Sequence, residues 1–173
     1  MHSEAAELSI IVPTFNEREN VLELLKRLTE CLKGISWEAI FVDDDSTDST
    51  AAMVRALGRT DSRVRCLQRI GRRGLASACI EGMMASSAPF IAVMDADLQH
   101  DESILIAMLD NMAAGADVVI GSRYIDGGST GQWSESRKSM SLLATRMSRM
   151  VLKQTVSDPM SGLFMVRRDV LDG

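Results

Sequence analysis

Apolar residues in this chain follow two periods, and the periods alternate. Leu8–Pro13 is a short β-branched run of the kind that forms a buried strand. Beyond it Val21, Leu24, Leu25, Leu28 and Leu32 recur at helical spacing and put one apolar stripe on a helix. Ala39–Val42 predicts a second strand, after which Ser46 or Thr47 is placed to cap a helix running to about Leu57. Val64–Gln68 predicts a third strand, Gly74 the opening of a helix through Met84, and Phe90–Met94 a fourth strand. His100–Asp101 begins a helix with Ile104, Leu105, Met108, Leu109 and Met112 on one face. Asp117–Gly121 reads as a fifth strand, Asp126–Gly131 as a Gly-rich loop, Arg137–Lys153 as a helix and Leu163–Val166 as a last strand. Strand–helix alternation of this kind predicts an α/β fold, a mostly parallel central sheet flanked by helices on both faces. With no repeat, low-complexity tract or linker, residues 1–173 are expected to form a single domain.

The polar clusters fall where strands end. Pro13–Glu17 follows the first strand, Asp43–Asp45 the second, Asp95–His100 the fourth and Gly121–Arg123 the fifth. In a parallel sheet these loops share one rim, the edge at which open α/β sheets bind their ligands. Asp95, Asp97, Gln99 and His100 deliver oxygen and imidazole donors directly after a buried strand. Oxygen donors suit a hard divalent cation, Mg²⁺ or Mn²⁺, with positions left for phosphate oxygens. Asp97 is the best direct ligand, with Gln99 as a neutral oxygen ligand two residues on; the competing reading is a pair of helix-capping aspartates. Among Asp43, Asp44 and Asp45, Asp44 is the candidate to accept N–H groups of a nucleobase edge, while Asp45, Ser46 and Asp48 suit capping. Phe15 offers a ring face for stacking and Glu17 a carboxylate for a ribose or base, within a Pro13–Glu17 segment that would wall the base. Arg123 and Arg137 flank the Gly-rich loop and suit bidentate phosphate contacts. Arg72-Arg73-Gly74 is open between a phosphate contact at a helix start and a surface loop.

Composition narrows the field. With 46% hydrophobic and 25% charged residues the chain is an ordinary water-soluble globular type. A net charge of −5 argues against nucleic acid as a bulk electrostatic partner. No apolar run reaches the length of a membrane span, and the polar Met1–Glu7 does not resemble a signal peptide. Cys31, Cys66 and Cys79 lack metal-ligand spacing and read as buried thiols of a reduced, cytoplasmic chain. From Arg137 to Lys153 every formal charge is positive, beside an apolar side of Met140, Leu143, Ala144, Met147, Met150 and Val151; this segment is open between a core helix and one that seeks anionic lipid.

Taken in order, Val12–Asn20, Val42–Asp48, Gly74–Ala78, Met94–His100, Gly121–Tyr124 and Ser157–Gly162 resemble the motifs of family-2 glycosyltransferases. The resemblance runs from about Leu8 onward and is strongest to the polyprenyl-phosphate subgroup typified by dolichyl-phosphate mannose synthase. It implies a GT-A, Rossmann-like sandwich and an inverting, metal-dependent transfer. A sugar would move from a nucleotide-diphosphate donor, of GDP-mannose or UDP-glucose type, to a dolichyl or undecaprenyl phosphate. By matching motif positions it implies that Pro13, Phe15, Glu17, Val42 and Asp44 hold the nucleotide and that Asp95 and Asp97 line the diphosphate. Asp97 and Gln99 would hold the metal, and Arg123, Arg137 and Ser141 would contact the acceptor phosphate, which makes Asp97, Arg123 and Arg137 the implied catalytic set. It further implies a location at the cytoplasmic face of a membrane and, because family members continue past the position of Gly173, a catalytic domain truncated here, with a possible membrane remainder elsewhere.

Other readings make distinct demands. A sugar-nucleotide nucleotidyltransferase calls for a Gly-rich, basic loop after strand one, which Pro13–Glu17 is not. A non-catalytic nucleotide-sugar module would bind nucleotide without transfer. A family-2 enzyme with a polysaccharide acceptor would have no use for Arg137 and Ser141 as phosphate contacts.

Overall fold

A computed structural model describes residues 5–121 and 162–172. The elements in chain order are β1 (Leu8–Thr14), α1 (Arg18–Cys31), β2 (Trp37–Asp43), α2 (Thr50–Gly58), β3 (Val64–Gln68) and α3 (Leu75–Ala85). They continue with β4 (Phe90–Met94), α4 (Ile104–Ala113), β5 (Val118–Ile120), β6 (Leu163–Arg167) and the short α5 (Arg168–Asp172). The strands form one six-stranded sheet in the order β3-β2-β1-β4-β6-β5. β3, β2, β1 and β4 run parallel, and β6 is inserted antiparallel between β4 and β5. The expected mostly parallel sheet is present; the reversed β6 is the departure, and periodicity carries no strand direction.

Central strands are buried on both faces, which is why they read as unbroken apolar runs. Ile10, Val12, Ala39, Phe41, Ala92 and Met94 point into one core with α1 residues Val21, Leu24 and Leu28 and α4 residues Leu105, Met108 and Met112. Their neighbours Ile11, Ile40, Val42, Ile91 and Val93 point into a second core beneath Ala78 of α3. α3 lies very close to the sheet: a Cβ on Gly82 would sit 2.3 Å from Ile11 Cγ2. A small residue there is a packing requirement.

Two predicted helix starts move. α2 begins at Thr50, so neither Ser46 nor Thr47 caps it; Asp48 accepts the Thr50 N–H at 2.9 Å instead. α4 begins at Ile104 rather than at His100–Asp101, with Asp101 accepting the Ser103 N–H. In both places the extra residues build the loop at the rim. Cys31, Cys66 and Cys79 are free and half-buried, and burial raises all of their thiol pKa values, that of Cys31 to about 11. The predicted Asp126–Gly131 loop and Arg137–Lys153 helix lie outside the described residues, as do Arg123, Arg137 and Ser141.

Candidate functional site

The switch in strand order falls at β1, which has β2 on one side and β4 on the other. The loops after these parallel strands meet at the C-terminal rim. All the non-glycine residues with left-handed backbone among the described residues are found there: Asn16, Asp45, Ser49 and Leu98. Asn and Asp tolerate that conformation, and Leu does not. Leu98 is held in it by packing against the main core, and it turns the chain between Asp97 and Gln99. Strain concentrated in ligand-facing loops is common at functional sites.

The β1 and β2 loops are stitched together. The Asn16 N–H donates to Ser46 Oγ at 2.9 Å, and Asn16 Oδ1 accepts the Thr47 N–H at 2.9 Å. The Glu17 N–H donates to Thr50 Oγ1 and the Arg18 N–H to Asp48 Oδ2, each at 3.1 Å. The three successive aspartates divide their work. Asp43 is fully buried and accepts the Ser46 N–H and hydroxyl. Asp45 Oδ2 accepts the Gly71 N–H. Asp44 faces a cleft of about 260 Å³ lined by Pro13, Thr14, Phe15, Asp44, Arg73, Gly74 and Leu75. Val42 does not line that cleft: its side chain is fully buried in the second core.

Within the cleft the Arg73 guanidinium lies 4.3 Å from the centre of the Phe15 ring, a cation–π contact. Arg72 instead forms a two-point pair with Glu81. The Arg72-Arg73 question therefore resolves into two roles: one arginine is engaged on α3 and the other stands over the predicted stacking ring.

The β4 loop is different. Asp95 Oδ2 lies 3.8 Å from His100 Nε2, and Asp97 Oδ1 accepts the Gln99 N–H at 3.1 Å. Gly162, at the entry to β6, presses on this loop from behind: a Cβ there would fall 2.0 Å from Asp95 Oδ2 and 3.1 Å from His100 Nε2. Across the rim the Glu17 carboxyl titrates above its ordinary range. Burial is the main cause, opposed by the Asn20 hydrogen bond and reinforced by the nearby charges of Asp97, Asp48 and Asp95. The charges of Asp97 and Asp95 thus add to the shift behind burial. Carboxylate and amide oxygens of this kind match a hard divalent cation. Among the described residues no three His, Cys, Asp or Glu side chains converge into a ready chelate.

The structure brings together Pro13, Phe15, Glu17, Asp44, Asp95, Asp97 and Gln99 on one rim. Sequence reasoning missed Arg69, which is 3% exposed and donates to Asp44 Oδ1 at 2.6 Å. The signal was available: Arg69 directly follows β3, at the same rim as the other clusters. It also missed a role for Gly162 and the Arg73–Phe15 stack, which join residues far apart in sequence. A larger cavity of about 690 Å³ lies at the opposite end of β4, beside Pro89, Phe90 and α5. Its charged groups are paired with each other, Arg167 with Asp169 and Arg168 with Asp172, which leaves the rim as the stronger candidate.

Residues 9–173 match the family model described as Glycosyl transferase family 2. A dolichol-phosphate mannosyltransferase of Pyrococcus furiosus is 38% identical over 169 residues, an alignment covering 96% of this chain and 48% of that protein. A polyprenol monophosphomannose synthase of Mycolicibacterium smegmatis is 34% identical, covering 94% of this chain and 62% of that protein. The chain therefore spans 48% and 62% of the lengths of these curated relatives. Among solved structures, a glucosyl-3-phosphoglycerate synthase of Mycobacterium tuberculosis in complex with phosphoglyceric acid superposes with a TM-score of 0.67 at 21% identity, covering 96% of this chain and 58% of that one. A mannosyltransferase of Pyrobaculum calidifontis in complex with GDP-Man and Mn²⁺ gives 0.63 at 21% identity, covering 98% of this chain and 46% of that one. At such identities the likeness establishes the fold, which is GT-A.

Proposed function

The chain belongs to glycosyl transferase family 2, and from that premise we propose that its rim is the donor end of an inverting glycosyltransferase site. The reaction moves a hexose from a nucleotide diphosphate to a polyprenyl phosphate. The observation that carries the reading is the convergence at one rim of a base-sized cleft closed by Asp44 and an open pair of aspartates at 95 and 97. Mannosyl donors are favoured because the two curated relatives named above bear names of dolichol- or polyprenol-phosphate mannose enzymes.

In this reading Pro13 and Phe15 line the base pocket, with Val42 supporting it from the core, Asp44 accepts N–H groups of the base edge, and Glu17 faces the ribose. Asp95 and Asp97 line the diphosphate. Asp97 and Gln99 would hold Mg²⁺ or Mn²⁺, whose contribution is to neutralise the charge that grows on the departing diphosphate. Arg123, Arg137 and Ser141 would receive the acceptor phosphate. That acceptor is already anionic, so the residues facing it need to position and neutralise it more than to remove a proton. Its oxygen attacks the anomeric carbon opposite the leaving group, which inverts the configuration. Among the described residues no helix is long and apolar enough to cross a membrane. A lipid acceptor therefore implies work at a membrane face, with the basic Arg137–Lys153 segment as the candidate contact.

The test is a transfer assay on the full-length protein with GDP-mannose and UDP-glucose, each offered polyprenyl phosphate in detergent. Lipid-linked mannose that depends on the acceptor is the expected product. Arg137→Ala should abolish transfer and spare donor binding. Nucleotide binding with no transfer to any polyprenyl phosphate would refute the acceptor assignment.

A further inference from the structure

Asp44 does not stand alone in its cleft. Arg69 leaves the end of β3 and turns its guanidinium inward, where it is 3% exposed. Its Nη1 donates to Asp44 Oδ1 at 2.6 Å and to the Gly74 carbonyl at 3.1 Å, and its Nη2 donates to Ser77 Oγ at 2.6 Å. Its Nε faces Glu81 Oε1 at 3.4 Å. The second Asp44 oxygen accepts the Gly74 N–H at 2.6 Å. One planar fork therefore joins the end of β2 to the first turn of α3. These are the two elements that carry opposite parts of the cleft, Asp44 on one and Arg73-Gly74-Leu75 on the other.

An ionised carboxylate has about four acceptor positions. Two bonds from the protein fix its plane and leave the rest for a ligand. Without the fork, Asp44 would be free to rotate and the Gly74 turn free to shift, and Arg73 over Phe15 would move with it. Gly74 sits at φ 144°, a conformation that glycine tolerates and that does not by itself fix the turn.

We propose that Arg69 is the positioning residue of the base pocket: it sets the direction of the Asp44 carboxylate and the width of the cleft between Phe15 and Gly74, and so governs affinity for the nucleotide without touching it. This rests on the reading of the cleft as a nucleotide site. Lysine at this position would keep a charge but could not span Asp44, Gly74 and Ser77 at once.

The test is calorimetric titration of GDP and UDP into full-length wild type, Arg69→Lys, Asp44→Ala and the double variant, with folding checked by circular dichroism. For the nucleotide that wild type binds, Arg69→Lys should weaken affinity about tenfold, the scale of one misplaced hydrogen bond. Asp44→Ala should weaken it at least as much, and adding Arg69→Lys to it should cost little more, because the two act through one contact. Arg69→Lys that folds and binds as wild type, or that costs the same factor with and without Asp44, would overturn the positioning role. Asp44→Ala that binds as wild type would overturn the nucleotide reading of the cleft itself, and the proposal with it.

Discussion

The two sides of the rim are built in opposite ways. On the β1–β2 side the loops are laced to each other and to α3: Asn16 to Ser46 and Thr47, Glu17 to Thr50, Asp45 to Gly71, Asp44 to Arg69 and Gly74. On the β4 side, Asp95 has an imidazole 3.8 Å away, Asp97 accepts a neighbouring backbone N–H, and both lie near enough to Glu17 to raise its pKa. Among the described residues, one side is tied together by protein hydrogen bonds, while the aspartates of the other meet an imidazole and a neighbouring backbone N–H. On the proposed reading, a fold built this way fixes the shape that would recognise the base and leaves the diphosphate side more open. It also predicts where mutation costs stability and where it costs activity alone.

Replacing an open carboxylate probes that division most strongly. Asp97→Ala should lower kcat/KM for transfer by about 10³-fold or more. Because Asp97 is exposed, its melting should stay within about 0.5 kcal/mol of wild type. A large loss of stability would break the distinction between the two sides. Arg69→Met should behave in the opposite sense, costing about 3–5 kcal/mol in chemical denaturation, since it leaves Asp44 buried against no cation. Gly162→Ala lies between them. Its methyl group would collide with the Asp95 carboxylate, so a cost of about 1–3 kcal/mol and a fall in transfer are expected together.

The smallest effect is electrostatic. Glu17 is held above its ordinary 4.5, so the folded state binds its proton more tightly than the unfolded chain does. Stability from this group is therefore present below pH 4.5 and is lost as pH rises through the folded value. Glu17→Gln, melted in chelator, should be more stable than wild type at pH 7 by less than about 1 kcal/mol, with the gain gone below pH 4.5. A gain that persists at low pH would mean that it does not come from the raised Glu17 pKa, which burial chiefly causes.

Much of this arrangement was legible from residue order. Strands buried on both faces announce themselves as apolar runs, and the rule that parallel strands deliver ligand residues at their C-terminal ends placed Pro13–Glu17, Asp44 and Asp95–Gln99 on one rim. The same rule applied to β3 points to Arg69, although an arginine after a short strand carries no local mark of burial. Its partners at 44, 74 and 77 are set by strand order, and strand order has no local signature. Gly162 and the reversal of β6 are illegible for the same reason. The helix start at Thr50 lies later than capping residues suggested because Ser46 and Thr47 bond across to Asn16, and at α4 Asp101 bonds Ser103 in the loop before Ile104.

The most direct test of the central claim compares a nucleoside diphosphate with its monophosphate. GDP, GMP, UDP and UMP would be titrated calorimetrically into the full-length protein, with Mn²⁺ and with chelator. If the base side is prebuilt and the β4 side awaits a cation, one base is preferred in both conditions. Mn²⁺ then tightens the diphosphate by about tenfold or more and leaves the monophosphate nearly unchanged. Equal response of mono- and diphosphate to the metal, or loss of base preference in chelator, would contradict it.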